Sequence, residues 1–168
     1  MSKEQIILEP MSEENGPDFR LIELLFFAYR DFVADADAVL EDYGFGRAHH
    51  RVLHFVNRRP GMTVADLLEF LNITKQSLGR VLRQLLESGH IVQITGPSDR
   101  RQRLLYPTEK GRNLALLLSG VQNERIGKAL AATNDDDQKA IREFLFEMVN
   151  GGGRTLLEGL GSASEQSD

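Results

Sequence analysis

Apolar residues recur every three or four positions along most of this chain, and the breaks in that rhythm mark its elements. Over residues 18–42 the positions Phe19, Ile22, Leu25, Phe26, Tyr29, Phe32, Val33, Ala36, Val39 and Leu40 keep a helical period. Leu21, Leu24 and Phe27 add further apolar faces, so the first half of this long helix is greasy nearly all round. A surface helix needs one stripe only. This one is expected to be covered twice, by its own core and by a second copy of the chain. It ends at "YGFG". A second helix is predicted over residues 47–58, stopping before Pro60.

Thr63 can cap a third helix, with Asp66 answering three residues on, and Val64, Leu67, Leu68 and Leu71 form its inward stripe. After "LNIT", Thr74 caps a fourth helix to about residue 88, with Leu78, Val81, Leu82, Leu85 and Leu86 inward, and Gly89 stops it. The runs "IVQIT" (91–95) and "RLLY" (103–106), joined by a polar Gly-Pro turn, read as a β-hairpin. Thr108 opens a fifth helix to about residue 130. The acidic "TNDDD" starts a sixth that carries Ile141, Phe144, Leu145, Met148 and Val149, and "GGG" (151–153) ends it. "TLLEGL" is expected to add one short docked turn.

The pattern gives a mainly α fold with a small β-hairpin wing: a winged helix-turn-helix domain between long helical segments. The expected divisions are a flexible arm at 1–17, helical segments at 18–45 and 108–160, a winged helix-turn-helix domain at 46–107, and a disordered tail at 161–168.

Composition narrows the chemistry. With 168 residues, 41% of them hydrophobic, one ordinary core is expected. The chain has no cysteine, which excludes disulfides, thiolate catalysis and thiol redox sensing. No apolar run approaches the roughly 18–20 residues of a membrane span, and no signal peptide is visible, so a cytoplasmic location is expected. The net charge of −5 hides a strong polarity: residues 47–112 hold twelve Lys/Arg against five acids, +7, leaving −12 for the rest. A basic middle between acidic ends suits a polyanion partner.

Two short helices around a tight turn, the second one capped, describe a helix-turn-helix whose second helix enters a major groove. Its inward leucines leave Lys75, Gln76, Ser77, Gly79, Arg80, Arg83 and Gln84 outward. Arg and Gln offer bidentate bonds to guanine and adenine edges. A hairpin directly after it, tipped by Arg100, Arg101 and Arg103, reads as a wing over the backbone and an adjacent minor groove, with Asp99 placed to tie Arg101 down. Arg51, Arg58 and Arg59 are candidate phosphate contacts.

The stretches "ITKQSLGRVLRQLLESGHI" and "DRRQRLLYPTEKG" resemble the MarR family of bacterial winged-helix regulators. Asp99 and Arg101 match its Asp-x-Arg wing signature, and Thr108 and Gly111 its T-x-x-G helix start. Pro107 stands where leucine is usual. The resemblance covers about residues 18–150. It implies a homodimer whose helical dimerisation region is 18–45 and 108–160 and whose DNA-binding domain, 46–107, reads a pseudo-palindromic operator in double-stranded DNA, most members being repressors. It also implies a small effector between the platform and the reading lobes.

For that effector, an aromatic or anionic molecule, the candidate cleft residues are Tyr29, Arg30, Phe32, His50 and His54. The His50–His54 spacing also fits a metal, but no further ligand follows on that helix, so none is expected. Along with His49, these histidines fit a polar cleft lining, phosphate contacts or plain packing. No catalytic site or cofactor is expected: there is no phosphate-cradling glycine loop or nucleophile-base arrangement, and capping explains "NDDD". The rival is a winged helix serving as a protein-interaction module, which needs an apolar outward face on the fourth helix.

Overall fold

The computed structural model describes residues 16–97 and 99–164. The elements are α1 (Phe19–Glu41), α2 (Arg47–Arg58), β1 (Met62–Thr63), α3 (Val64–Leu71), α4 (Lys75–Glu87), β2 (Ile91–Thr95), β3 (Arg103–Pro107), α5 (Glu109–Leu130), α6 (Asp135–Glu147) and α7 (Gly151–Ser164).

Local chemistry sets most of these limits. Asp18 accepts the Leu21 N–H at 2.8 Å and caps α1. Thr63 and Asp66 form the expected reciprocal capping box, with bonds of 2.8 and 3.1 Å. Thr74 accepts the Ser77 N–H at 3.2 Å. Asn72 closes α3 in the left-handed conformation at φ 50°, and Gly89 does the same after α4 at φ 72°.

Val52, Leu53, Val56, Leu67, Leu71, Leu78, Leu82 and Leu85 make the centre of the core, joined by Ala36 and Leu40 of α1 and Leu114 and Leu118 of α5. The lobe of α2, α3 and α4 is therefore built directly on the lower half of α1 and the first turns of α5. Arg125 reinforces the α1–α5 contact with a two-pronged bond to Asp35 at 2.7 and 3.1 Å.

The sheet has three strands, not the two of a simple hairpin, in the order β1-β3-β2 and antiparallel throughout. Met62 and Thr63 pair with Leu105 and Leu104. β1 is only two residues long, too short to show any alternation. Pro107 is the last residue of β3, opposite Ile91 and beyond the reach of β1, where a missing N–H is tolerated. Thr108 then donates its hydroxyl to the Gly89 and His90 carbonyls and caps α5 by accepting the Gly111 N–H. Gly111 passes so close to the wing's base that a Cβ would collide with the His90 carbonyl oxygen.

The C-terminal region differs from expectation. The triple glycine does not end a helix. It forms the first turn of α7, capped by Asn150 accepting the Gly153 N–H at 3.0 Å. In place of one short turn there is a fourteen-residue helix, whose Leu160 is buried against a patch containing Phe55 of α2 and Phe70 of α3. Residues 161–164 of the expected tail are thus helical, while 165–168, like 1–15 of the expected arm, lie outside the described residues.

The upper half of α1 is open. Phe26 is 70% exposed, and Leu21, Leu24, Phe27 and Tyr29 are exposed with it. None of the residues of α6 is buried, although Ile141, Phe144 and Leu145 are apolar. None of the described helices is long and apolar enough to cross a membrane.

Candidate nucleic-acid interface

The apolar stripe of α4, with Leu78 and Leu85 fully buried and Val81 and Leu82 nearly so, turns the rest of the helix outward. Lys75, Gln76, Arg80 and Arg83 are exposed, and among the described residues none of them has an intramolecular partner. Four long donors therefore stand free on the first three turns of a helix whose own N-terminus carries partial positive charge. Ser77 is held locally, its hydroxyl accepting from Thr74 at 2.9 Å. No Cβ contact crowds Gly79.

At the wing, Arg100 and Arg101 project freely. Arg103 does not: its guanidinium donates to the Thr95 hydroxyl at 2.7 Å and to the Arg100 carbonyl at 3.4 Å, cross-linking the hairpin. The turn is closed by the Gly96 N–H to the Gln102 carbonyl and the Gln102 N–H to the Asp99 carbonyl. Asp99 does tie Arg101, but by the backbone: its carboxylate accepts the Arg101 N–H at 2.8 Å, leaving the guanidinium unrestrained.

The other candidate arginines differ among themselves. Arg51 donates to the Leu71 carbonyl at 2.8 Å and so closes the C-terminus of α3. Arg58 and Arg59 are exposed at the end of α2. Lys110, a basic residue that periodicity did not single out, donates to the Ser88 carbonyl at 2.8 Å and steadies the end of α4.

The five cleft candidates are distributed over α1 and α2. Tyr29 and Arg30 are exposed; Arg30 pairs with Asp31 at 2.8 Å and lies over the Phe27 ring at 4.7 Å. Phe32, His50 and His54 are half-buried. Burial lowers both histidines below the ordinary 6.5; the His54 charge lowers His50 further while Asp37 opposes it, and Arg58 lowers His54. Three surface cavities of about 490, 790 and 170 Å³ are lined by other residues. Tyr43 and Lys110 line the first, Asp35 and Arg125 the second, Phe55 and Phe70 the third.

Two polar residues near α4 were not singled out as site residues. His49 is only 8% exposed and reaches the Gln84 amide oxygen at 2.6 Å, so Gln84 is exposed as expected but tethered to α2 by its amide. His90, 2% exposed, bonds the Ser88 hydroxyl through Nδ1 and packs edge-on against Phe45 and Tyr43. In a sequence, a buried histidine and an exposed one look alike.

Comparison with known proteins gives the following. A model described as MarR family matches residues 43–102. The HTH-type transcriptional regulator PetP of Rhodobacter capsulatus is 45% identical over 129 residues, covering 77% of this chain and 78% of PetP. Streptococcus pneumoniae FabT, solved in complex with DNA, aligns with a TM-score of 0.70 at 18% identity, covering 86% of this chain and 99% of FabT. The Mycobacterium tuberculosis MarR family protein Rv2887, solved with p-aminosalicylic acid, aligns at 0.56 with 22% identity, covering 79% and 98%. At such identities the two structures speak to the fold alone.

Proposed function

This chain belongs to the MarR family of transcriptional regulators, which are not enzymes, and from that membership we propose that it binds a specific operator in double-stranded DNA as a homodimer, represses from it, and responds to a small ligand. The observation that carries the DNA-reading part is the set of four unpartnered donors, Lys75, Gln76, Arg80 and Arg83, on the capped start of α4, beside a wing with two free arginines. In this reading Lys75, Gln76, Ser77 and Arg80 read or flank bases, and Arg83, Arg58 and Arg59 take phosphates. Arg51 adds a phosphate contact through the donors that Leu71 leaves unused. Arg100 and Arg101 follow the backbone and minor groove, with Arg103 and Asp99 shaping the wing.

Dimerisation explains the apolar side chains left exposed on the upper half of α1 and on α6. Two-fold symmetry then places two α4 helices on half-sites one turn apart, hence a pseudo-palindrome. Such a dimer seated across a promoter blocks polymerase. The ligand is an aromatic or anionic molecule meeting Tyr29, Arg30, Phe32, His50 and His54 once the partner's surface completes their surroundings. A protein with this task works where the DNA is, in the cytoplasm.

The test is selection of bound duplexes from a random DNA pool, followed by mobility shifts at two salt concentrations. A palindromic consensus with affinity falling steeply in salt is expected. Enrichment of no sequence, with a folded protein, overturns the proposal.

A further inference from the structure

We propose that His49 is a positioning residue for DNA recognition: its bond to Gln84 helps to fix the rotation of α4 about its own axis, and so to set which side chains face the bases. This rests on the DNA-reading function above. His49 is the third residue of α2, and its Nδ1 accepts the Gly46 N–H at 3.1 Å. A neutral ring with Nδ1 accepting carries its hydrogen on Nε2. That hydrogen is donated to Gln84 Oε1 at 2.6 Å, which also fixes the orientation of the glutamine amide.

The ring cannot swing away easily. It stacks on Phe45 at 4.7 Å with an interplanar angle of 8°. Phe45 is in turn held edge-on by buried His90 at 5.1 Å. His90 bonds Ser88, the C-cap of α4. The loop after α1, the start of α2 and the far end of α4 are thus joined by one ring stack.

Gln84 has the right place for this task. Arg80 and Ser77 precede it by four and seven residues, so on a helix of 100° per residue they lie about 40° and about 20° from it, one on either side. The base-reading stripe and the tethered residue are the same stripe. Its far half is tied to the scaffold, and its near half is free. The close-packed leucines set the rotation of α4, and a hydrogen bond adds a directional restraint on top of that packing. A roll of about 20° moves a tip roughly 6 Å from the axis by about 2 Å, enough to break a bidentate base contact. The His49–Gln84 bond supplies that directional restraint.

The experiment uses the duplex enriched by the wild-type chain and a scrambled duplex of equal length, with affinities from fluorescence anisotropy at one salt concentration. The variants are His49→Met, Gln84→Met and the double variant. His49→Gln is the rescue, since glutamine at the third helical position can accept the Gly46 N–H and still donate to Gln84. The double variant removes both partners of the bond, which leaves stability nearly intact where one removal does not.

We expect each of the three to lose about tenfold on the enriched duplex, the size of one good base contact. Binding to the scrambled duplex stays within about twofold, since it depends on phosphates. His49→Gln regains most of the loss. Should His49→Met not fold, the double variant and Gln84→Met carry the same comparison. Unchanged enriched-duplex affinity in the folded variants, or equal losses on both duplexes, overturns the positioning role. A wild-type chain that enriches no duplex at all overturns the DNA-reading function instead.

Discussion

Asp99 grips Arg101 by its main-chain N–H, at 2.8 Å, and not by its guanidinium. This is an Asx turn: a short carboxylate stands in for a backbone acceptor and sets the curvature of the wing tip. An ion pair would have neutralised the charge that the wing presents. The turn keeps its shape and the arginine keeps its charge.

Replacing Asp99 by alanine removes the turn's acceptor, while Asp99→Asn retains an oxygen there. Asp99→Ala should weaken operator binding by about 1 kcal/mol, the net value of such a bond, and Asp99→Asn should stay close to wild type. Arg101→Ala should cost about 1–3 kcal/mol. Anisotropy titrations on the selected duplex decide it; equal losses for Asn and Ala at position 99 would exclude the turn as the cause.

Gly111 is predicted to be intolerant of any side chain. A Cβ there meets the His90 carbonyl, which already accepts from the Thr108 N–H and hydroxyl. Gly111→Ala should destabilise the fold by about 3 kcal/mol, the upper part of the range for overpacking. Urea unfolding should show a lower midpoint at unchanged slope.

The open half of α1 should be sensitive to charge. Phe26 is 70% exposed in the single chain, so Phe26→Glu costs the isolated fold little, within about 0.5 kcal/mol. In a dimer it buries an unpaired carboxylate, a loss of several kcal/mol. Sedimentation should find a folded monomer for the variant and a dimer for the wild type. A wild-type monomer at micromolar concentration would remove the dimer from the proposal.

Acid should loosen this protein earlier than its carboxylates alone would. Burial lowers His50, His54 and His90 below the ordinary 6.5, with Lys110 adding to the effect at His90. As pH falls, the unfolded chain takes up these protons before the folded one does. Stability is therefore full above about pH 6.5 and declines as pH drops through the lowered values. Urea midpoints measured from about pH 7.5 down to 5.5 should fall, and the fall should shrink in His50→Gln.

Much of this could be read before any coordinates. The helix-turn-helix was legible because its signals are local: Thr63 with Asp66, Thr74 with Ser77, and leucines at helical spacing, all found as expected. What escaped depended on distant partners. β1 exists only because β3 passes beside it. The glycines at 151–153 disfavour helix by propensity, yet Asn150 caps them and Leu160 gains a buried seat. Gln84 sits at the edge of the outward arc of α4, where a helical wheel cannot say that His49 waits opposite. The direction of the Asp99 bond was missed for a related reason, since spacing alone does not separate a main-chain N–H from a side-chain one.

Thr63 belongs to two structures at once. It pairs with Leu104 in the middle strand of the wing, and it caps the first helix of the reading motif. The hairpin that carries the arginine tip and the first helix of the helix-turn-helix therefore meet at a single residue, with no loop between strand and cap.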